Sequence, residues 1–316
     1  MPTAFADRLA DAVLARRSCL VVGLDPQLHL IPTEIQAQAA RSPGDSRDRA
    51  AAAIRLFQAE VVRLVEPCAV AIKPQIAFHE SYGAPGYAAY EDAISHAQDA
   101  GLLVIGDVKR GDIGSTAKAY ASGHLTDPDQ GGDPAIAGFP RSDAVTLNPY
   151  LGSDSLEPFL DLARRAGAGL FVLVRTSNPS AAELQDLCID GRPLHELVAQ
   201  RVVEWGRSAM GACGWSSVGA VVGATAPQEL ARLRELMPRT WLLIPGVGAQ
   251  GGSAADIAPA FGAGGLGAIV NSSRGILYAY KDPTRHDWRE AIRGAAGKLR
   301  DELREAARGA PAVGST

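Results

Sequence analysis

Short apolar runs rich in Val, Ile and Leu recur along the chain, each bounded by Gly, Pro or Asp. Eight stand out: "CLVVGLD" (19–25), "AVAIKPQ" (69–75), "LLVIGDVK" (102–109), "AVTLNPY" (144–150), "LFVLVRTS" (170–177), "SVGAVVGA" (217–224), "TWLLIPGVG" (240–248) and "LGAIVNSS" (266–273). They are apolar throughout rather than alternating, the pattern of strands covered on both faces. The segments between them carry a helical period instead. "DRAAAAIRLFQAEVVRLVE" places Ile54, Phe57, Val61 and Leu64 on one stripe, at offsets of three and four. "DSLEPFLDLARRAG" and "PQELARLRELM" behave alike. Eight covered strands alternating with helices predict an α/β protein, a (β/α)8 TIM barrel, and 316 residues suit one. A doubly wound open sheet would carry a Gly-rich turn after its first strand, and "GLDPQ" is not one.

The expected organisation is a single barrel domain over residues 1–308, with a frayed tail at 309–316. "MPTAFADRLADAVLARRSC" reads as a leading amphipathic helix. It lacks the apolar core of a signal peptide. The connections 26–47 and 121–143 are too long to be plain turns. Their Gly, Pro and Asp density marks both as loops, expected on the C-terminal face where barrels keep their active sites.

Composition narrows the partners. With 31 Lys+Arg against 35 Asp+Glu and a net charge of -4, nothing suggests a nucleic-acid surface. No apolar run approaches the roughly 18 residues of a membrane span. Cys19, Cys68, Cys188 and Cys213 are widely spaced, and the six histidines are scattered. A reduced, cytoplasmic protein with no clustered metal ligands is the expectation.

The candidate chemistry lies at the strand ends, which converge on one mouth in a barrel. In "GLLVIGDVKRGDIGST" a core strand ends in Asp107, Lys109 and Asp112. Alternation puts Asp107 and Lys109 on one face. D-x-K-x-x-D arises by chance in roughly one chain of this length in twenty, so position has to decide. Charges ending a core strand must be paired or functional, because an unpaired buried charge costs several kcal/mol. Lys73 ends the neighbouring strand, where it either snorkels or joins the array. Asp25 ends the first strand, where it either joins the site or starts a turn before Pro26. Asn148, Thr176 and Ser177 end two further strands. On the other side of the mouth, "IPGVGAQGG" offers Gly246, Gly248, Gly251 and Gly252 before a helix expected near Ser253, and Arg274 follows in the next loop. Glycine N–H groups with an Arg, in the loops after strands seven and eight, suit a phosphate.

Together "GLDP", "AIKPQ", "DVKRGDIGST" and "PGVGAQGG" resemble the orotidine 5′-phosphate decarboxylase family, over about residues 19–280, and the long loops are similar to those of its larger, mycobacterial-type subgroup. The resemblance implies conversion of orotidine 5′-phosphate to UMP and CO2 in pyrimidine synthesis, without metal or organic cofactor. It implies a homodimer with active sites at the interface. It also implies that Lys109 is the proton donor to C6, within an array of Lys73, Asp107 and an Asp112 contributed by the partner subunit. By the same resemblance Asp25 contacts the ribose, Thr116 supplies a nearby hydroxyl contact, Ser177 lies near the pyrimidine, and Gln250 and Arg274 bind phosphate. Arg274 follows the last apolar residue of its strand by four positions, against two in the family's short form.

Three other readings remain open on the residues. A metal-dependent phosphosugar enzyme, such as a 3-keto-L-gulonate 6-phosphate decarboxylase or a hexulose phosphate synthase, shares D-x-K-x-x-D, but Lys73 stands where those carry an acidic metal ligand. A non-catalytic nucleotide-binding barrel would keep the phosphate cup alone. A Schiff-base aldolase using Lys109 would need a neutral amine, which flanking carboxylates disfavour.

Overall fold

The computed structural model describes residues 2–126, 140–223, 227–246, 254–282 and 287–308. Eight parallel strands close into a barrel: β1 (Leu20–Leu24), β2 (Ala71–Pro74), β3 (Leu103–Arg110), β4 (Ala144–Leu147), β5 (Gly169–Arg175), β6 (Ser216–Val222), β7 (Thr240–Pro245) and β8 (Ala268–Ser272). Each pairs with its sequence neighbours and β8 returns to β1, as a (β/α)8 barrel requires. All eight predicted strands are present. Every residue of β1, β2, β4, β6 and β8 is buried, which explains why those runs do not alternate.

The principal helices are α1 (Phe5–Arg16), α2 (Ser46–Val65), α3 (Gly83–Asp99), α4 (Gly114–His124), α5 (Ser153–Ala166), α6 (Leu194–Gly206), α7 (Pro227–Leu236) and α8 (Trp288–Arg308). The stripe of Ile54, Phe57, Val61 and Leu64 on α2 is fully buried. An Asp45–Asp48 capping box fixes where that helix begins. The leading helix α1 closes the N-terminal end of the barrel. Phe5 meets Phe171 of β5 edge-on at 6.0 Å. It also lies so close to Gly169 that an added Cβ there would fall 2.2 Å from its ring.

The long connections differ in part from expectation. Residues 26–47 hold a 3-10 turn (Leu28–Leu30) and a helix (Thr33–Ala39), whose Ile35 and Ala39 are buried. The helix α4 runs on to His124, so the start of the 121–143 segment is helical; residues 127–139 lie outside the described residues. After β7 the described chain resumes at Ala254 and forms a 3-10 helix, Ala255–Ala260, where an α-helix was expected near Ser253. After β5 comes a two-stranded hairpin, Cys188–Ile189 with Arg192–Pro193, which the sequence reading did not anticipate. The last helix ends at Arg308 and the 309–316 tail lies outside the described residues. The four cysteines are free thiols. Among the described residues no helix is long and apolar enough to cross a membrane.

Candidate active site

The barrel register decides which side chains share the interior. Gly23 of β1 stands beside Lys73 of β2, and Leu103, beside Ala71, leads through Ile105 to Asp107 on the same face of β3. Leu173, Val221, Leu243 and Pro245 come from β5 to β7. With Lys73, Asp107, Lys109, Thr146, Thr176, Ser177 and Asn178 they line a cleft of about 400 Å³ at the C-terminal mouth.

Charge is concentrated on one wall of this cleft. Lys73 Nζ donates to Asp107 Oδ2 at 2.5 Å, and Lys109 Nζ donates to Asp107 Oδ1 at 2.5 Å. Lys73 and Asp107 are buried, whereas the Lys109 side chain is 45% exposed and reaches the opening. Burial alone would neutralise Asp107, but the two ammonium groups outweigh it and hold its carboxyl far below the usual carboxylate range. Burial likewise opposes the Lys73 ammonium. Asp107 first and Asp25 second overcome it, and the Lys73 pKa lies above that of an ordinary lysine.

β3 deforms to make this array. From Gly106 to Arg110 it advances four residues while β4 advances two, Val145 to Leu147, so residues 107–109 bulge. Lys109 sits at the apex with φ of 44°, a left-handed conformation costly for a side chain of this kind. Thr146 of β4 fills the gap. Its Oγ1 donates to Asp107 Oδ1 and accepts the N–H groups of Val108 and Lys109, each at 3.0 Å.

Asp25 is placed by its main chain. Its carbonyl accepts Tyr278 OH at 3.0 Å, and Gln27 N–H donates to the same phenol oxygen at 2.8 Å. Among the described residues Asp25 Oδ1 is buried without a partner. The Asp25 charge acts on Lys73, while residues 25–27 run without a turn before the 3-10 segment at Leu28.

Other expected residues lie apart from the cleft of this chain. Asp112 is partly exposed and caps its own loop by accepting Ile113 N–H at 2.8 Å. Thr116 is exposed in the first turn of α4. Asn148 is exposed too, its Oδ1 accepting Tyr150 N–H at 3.1 Å. On the opposite rim, Gly246 follows β7 at φ of 93°, and Arg274 stands exposed two residues beyond the end of β8. Gly248, Gln250, Gly251 and Gly252 lie outside the described residues.

Sequence reasoning missed Thr146, although one hydroxyl within the buried strand "AVTL" signals a group that needs a partner. It also missed Asn271. This β8 side chain is buried beside Gly23, and its Oδ1 has no partner among the described residues.

A closed eight-stranded barrel with a lysine–carboxylate array at its C-terminal mouth defines a (β/α)8 barrel enzyme. The chain belongs to the orotidine 5′-phosphate decarboxylase / HUMPS family, whose model matches residues 20–286. An orotidine 5′-phosphate decarboxylase of Rhodopirellula baltica is 44% identical over 95% of this chain and 99% of its own length. One from Deinococcus radiodurans is 42% identical over 96% of this chain and 98% of its own. Among solved structures, Leishmania donovani OMP decarboxylase matches 98% of this chain and all of its own, with a TM-score of 0.72 and 33% identity.

Proposed function

We propose that the protein decarboxylates orotidine 5′-phosphate to UMP and CO2, with Lys109 as the proton donor. The observation that carries this reading is the Lys73–Asp107–Lys109 array, the only charges lining the cleft among the described residues. Breaking the bond between C6 and the carboxylate carbon leaves its electron pair on C6 and releases CO2. No adjacent electron sink exists, so the site must supply charge stabilisation and a proton. The Lys109 ammonium does both. Its N–H bond breaks as the C6–H bond forms, and the exposed amine then regains a proton from water.

Asp107 keeps Lys73 charged and, by pairing with both ammonium groups, sets their directions. An aspartate ~4 Å from the substrate carboxylate would repel it by about 4 kcal/mol at an effective dielectric near 20. Enzymes lower barriers by roughly 8–23 kcal/mol. Repulsion is therefore the smaller contribution, and binding energy from the remote phosphate supports the larger share. The glycines after β7, Gln250 and Arg274 are the phosphate ligands in this reading, and Gly246 has a positive φ.

The working form is a homodimer in the cytoplasm, with Asp112 completing the partner's site. Support comes from the apolar side chains exposed near it: Ile113 at the head of α4, Tyr120 on α4, and Tyr150 and Leu151 after β4. Size-exclusion chromatography with light scattering tests this, and a monomer at assay concentration would exclude it.

The reaction is tested by mixing purified protein with orotidine 5′-phosphate in excess EDTA. Loss of the substrate's ultraviolet band with UMP as product is the expected result. An unchanged spectrum from folded protein would remove the decarboxylase reading.

A further inference from the structure

Deepening the reading of Lys109 as proton donor, on which it rests, we infer that Thr146 is the positioning residue that holds Lys109 in its strained conformation and aims its ammonium. The hydroxyl of a threonine has one proton to give and two lone pairs to fill. All three are used here, on Asp107 Oδ1, Val108 N–H and Lys109 N–H, at 3.0 Å each. Thr146 is 1% exposed, so water does not compete for these bonds.

The bulge explains why a side chain is needed. Where residues 107–109 of β3 swing out of register, the facing main chain of β4 has too few positions to serve each N–H in turn. The Thr146 hydroxyl stands in for the missing ladder and fastens two successive N–H groups, the second belonging to the residue at φ of 44°. A left-handed non-glycine residue persists only where its surroundings over-determine it. The same oxygen donates to the carboxylate oxygen that Lys109 Nζ grips. One hydroxyl therefore fixes both ends of Lys109, its backbone and the counter-ion of its ammonium. Thr146 acts through Lys109 and Asp107, while the phosphate end of the site lies on other strands.

Thr146→Val keeps the volume and removes all three bonds; Thr146→Ser keeps them. Misplacing a reacting group by about 1 Å costs on the order of 10²-fold in rate. The Val variant is accordingly expected to lose roughly that factor in kcat with KM nearly unchanged, and the Ser variant to recover most of it. Equal kcat in wild type and Thr146→Val, or a Ser variant as slow as the Val variant, would overturn the inference. A Lys109→Ala control separates the two levels. If Lys109→Ala is inactive while Thr146→Val is fully active, only the role of Thr146 falls; if Lys109→Ala is as fast as wild type, the proton-donor reading falls first. Should Thr146→Val fail to fold, hydrogen exchange on the wild-type protein decides. The Val108 and Lys109 amides should be strongly protected, and exchange at the rate of an unstructured peptide would overturn the inference.

Discussion

The substitution Asp107→Asn keeps the side-chain shape and removes the charge on which both lysines close. Lys73 is then buried beside Lys109 with Asp25 as its remaining carboxylate influence. Removing one partner of a buried pair costs about 3–5 kcal/mol, because the other charge is left uncompensated. The introduced amide could still accept one hydrogen bond, so a loss of about 3 kcal/mol at pH 7, the lower end of that range, is expected. The pH dependence carries a second signature. In the wild type the Lys73 pKa is raised above 10.5, so its contribution is complete below 10.5 and fades only as pH climbs through the higher folded value. In the variant, burial dominates and the folded pKa drops below the unfolded one. The unfolded chain then binds more protons, and stability rises with pH toward the ordinary lysine value. Urea unfolding of both proteins at about pH 7 and about pH 9.5 measures this. The deficit should be about 3 kcal/mol at the lower pH and smaller at the higher. A deficit under about 1 kcal/mol, or one that does not narrow, would refute the description of Lys73 and Asp107 as a buried, mutually dependent pair.

Acid should destabilise the protein through two buried histidines. Burial pushes His79 and His124 down from 6.5 to about 4, so stability present above pH 6.5 is lost as pH falls toward 4, by up to about 3 kcal/mol each; a flat urea-unfolding profile between pH 7 and 4 would contradict this. Gly169→Ala drives a methyl group into the Phe5 ring and should cost about 1–3 kcal/mol, measured by the same unfolding. A wild-type midpoint would show that α1 does not seal the barrel as described. Tyr150→Glu, at a side chain 81% exposed, should leave the monomer's stability unchanged while weakening the dimer. Specific activity that falls on dilution, more steeply in the variant, is the expected result; a concentration-independent variant that remains dimeric would count against that interface.

The barrel was legible because its strands are buried on both faces, and eight uniform apolar runs punctuated by Gly, Pro and Asp leave few alternatives. The array was legible for the same reason: Lys73, Asp107 and Lys109 interrupt runs that otherwise contain no charge. What escaped notice depends on tertiary partners. The helix Thr33–Ala39 is anchored by burying Ile35 and Ala39 where it packs on α2, while the Gly and Pro that suggested a loop belong to its flanks. The Cys188–Pro193 hairpin did leave a signal. Asp190–Gly191, both at positive φ, is a favoured two-residue turn, but strands of two residues fall below any periodicity. The bulge at Lys109 left no local trace. No Gly, Asn or Asp stands at position 109 to announce a left-handed residue, and it exists because Thr146, thirty-seven residues on, bonds its N–H.

The most direct test of Lys109 as proton donor is the rate of orotidine 5′-phosphate decarboxylation by wild type and Lys109→Ala, side by side, with folding of both verified by circular dichroism. Rapid conversion to UMP by wild type and none above background in the variant is the result expected from an ammonium at the apex of the β3 bulge. Comparable rates in the two proteins would contradict it.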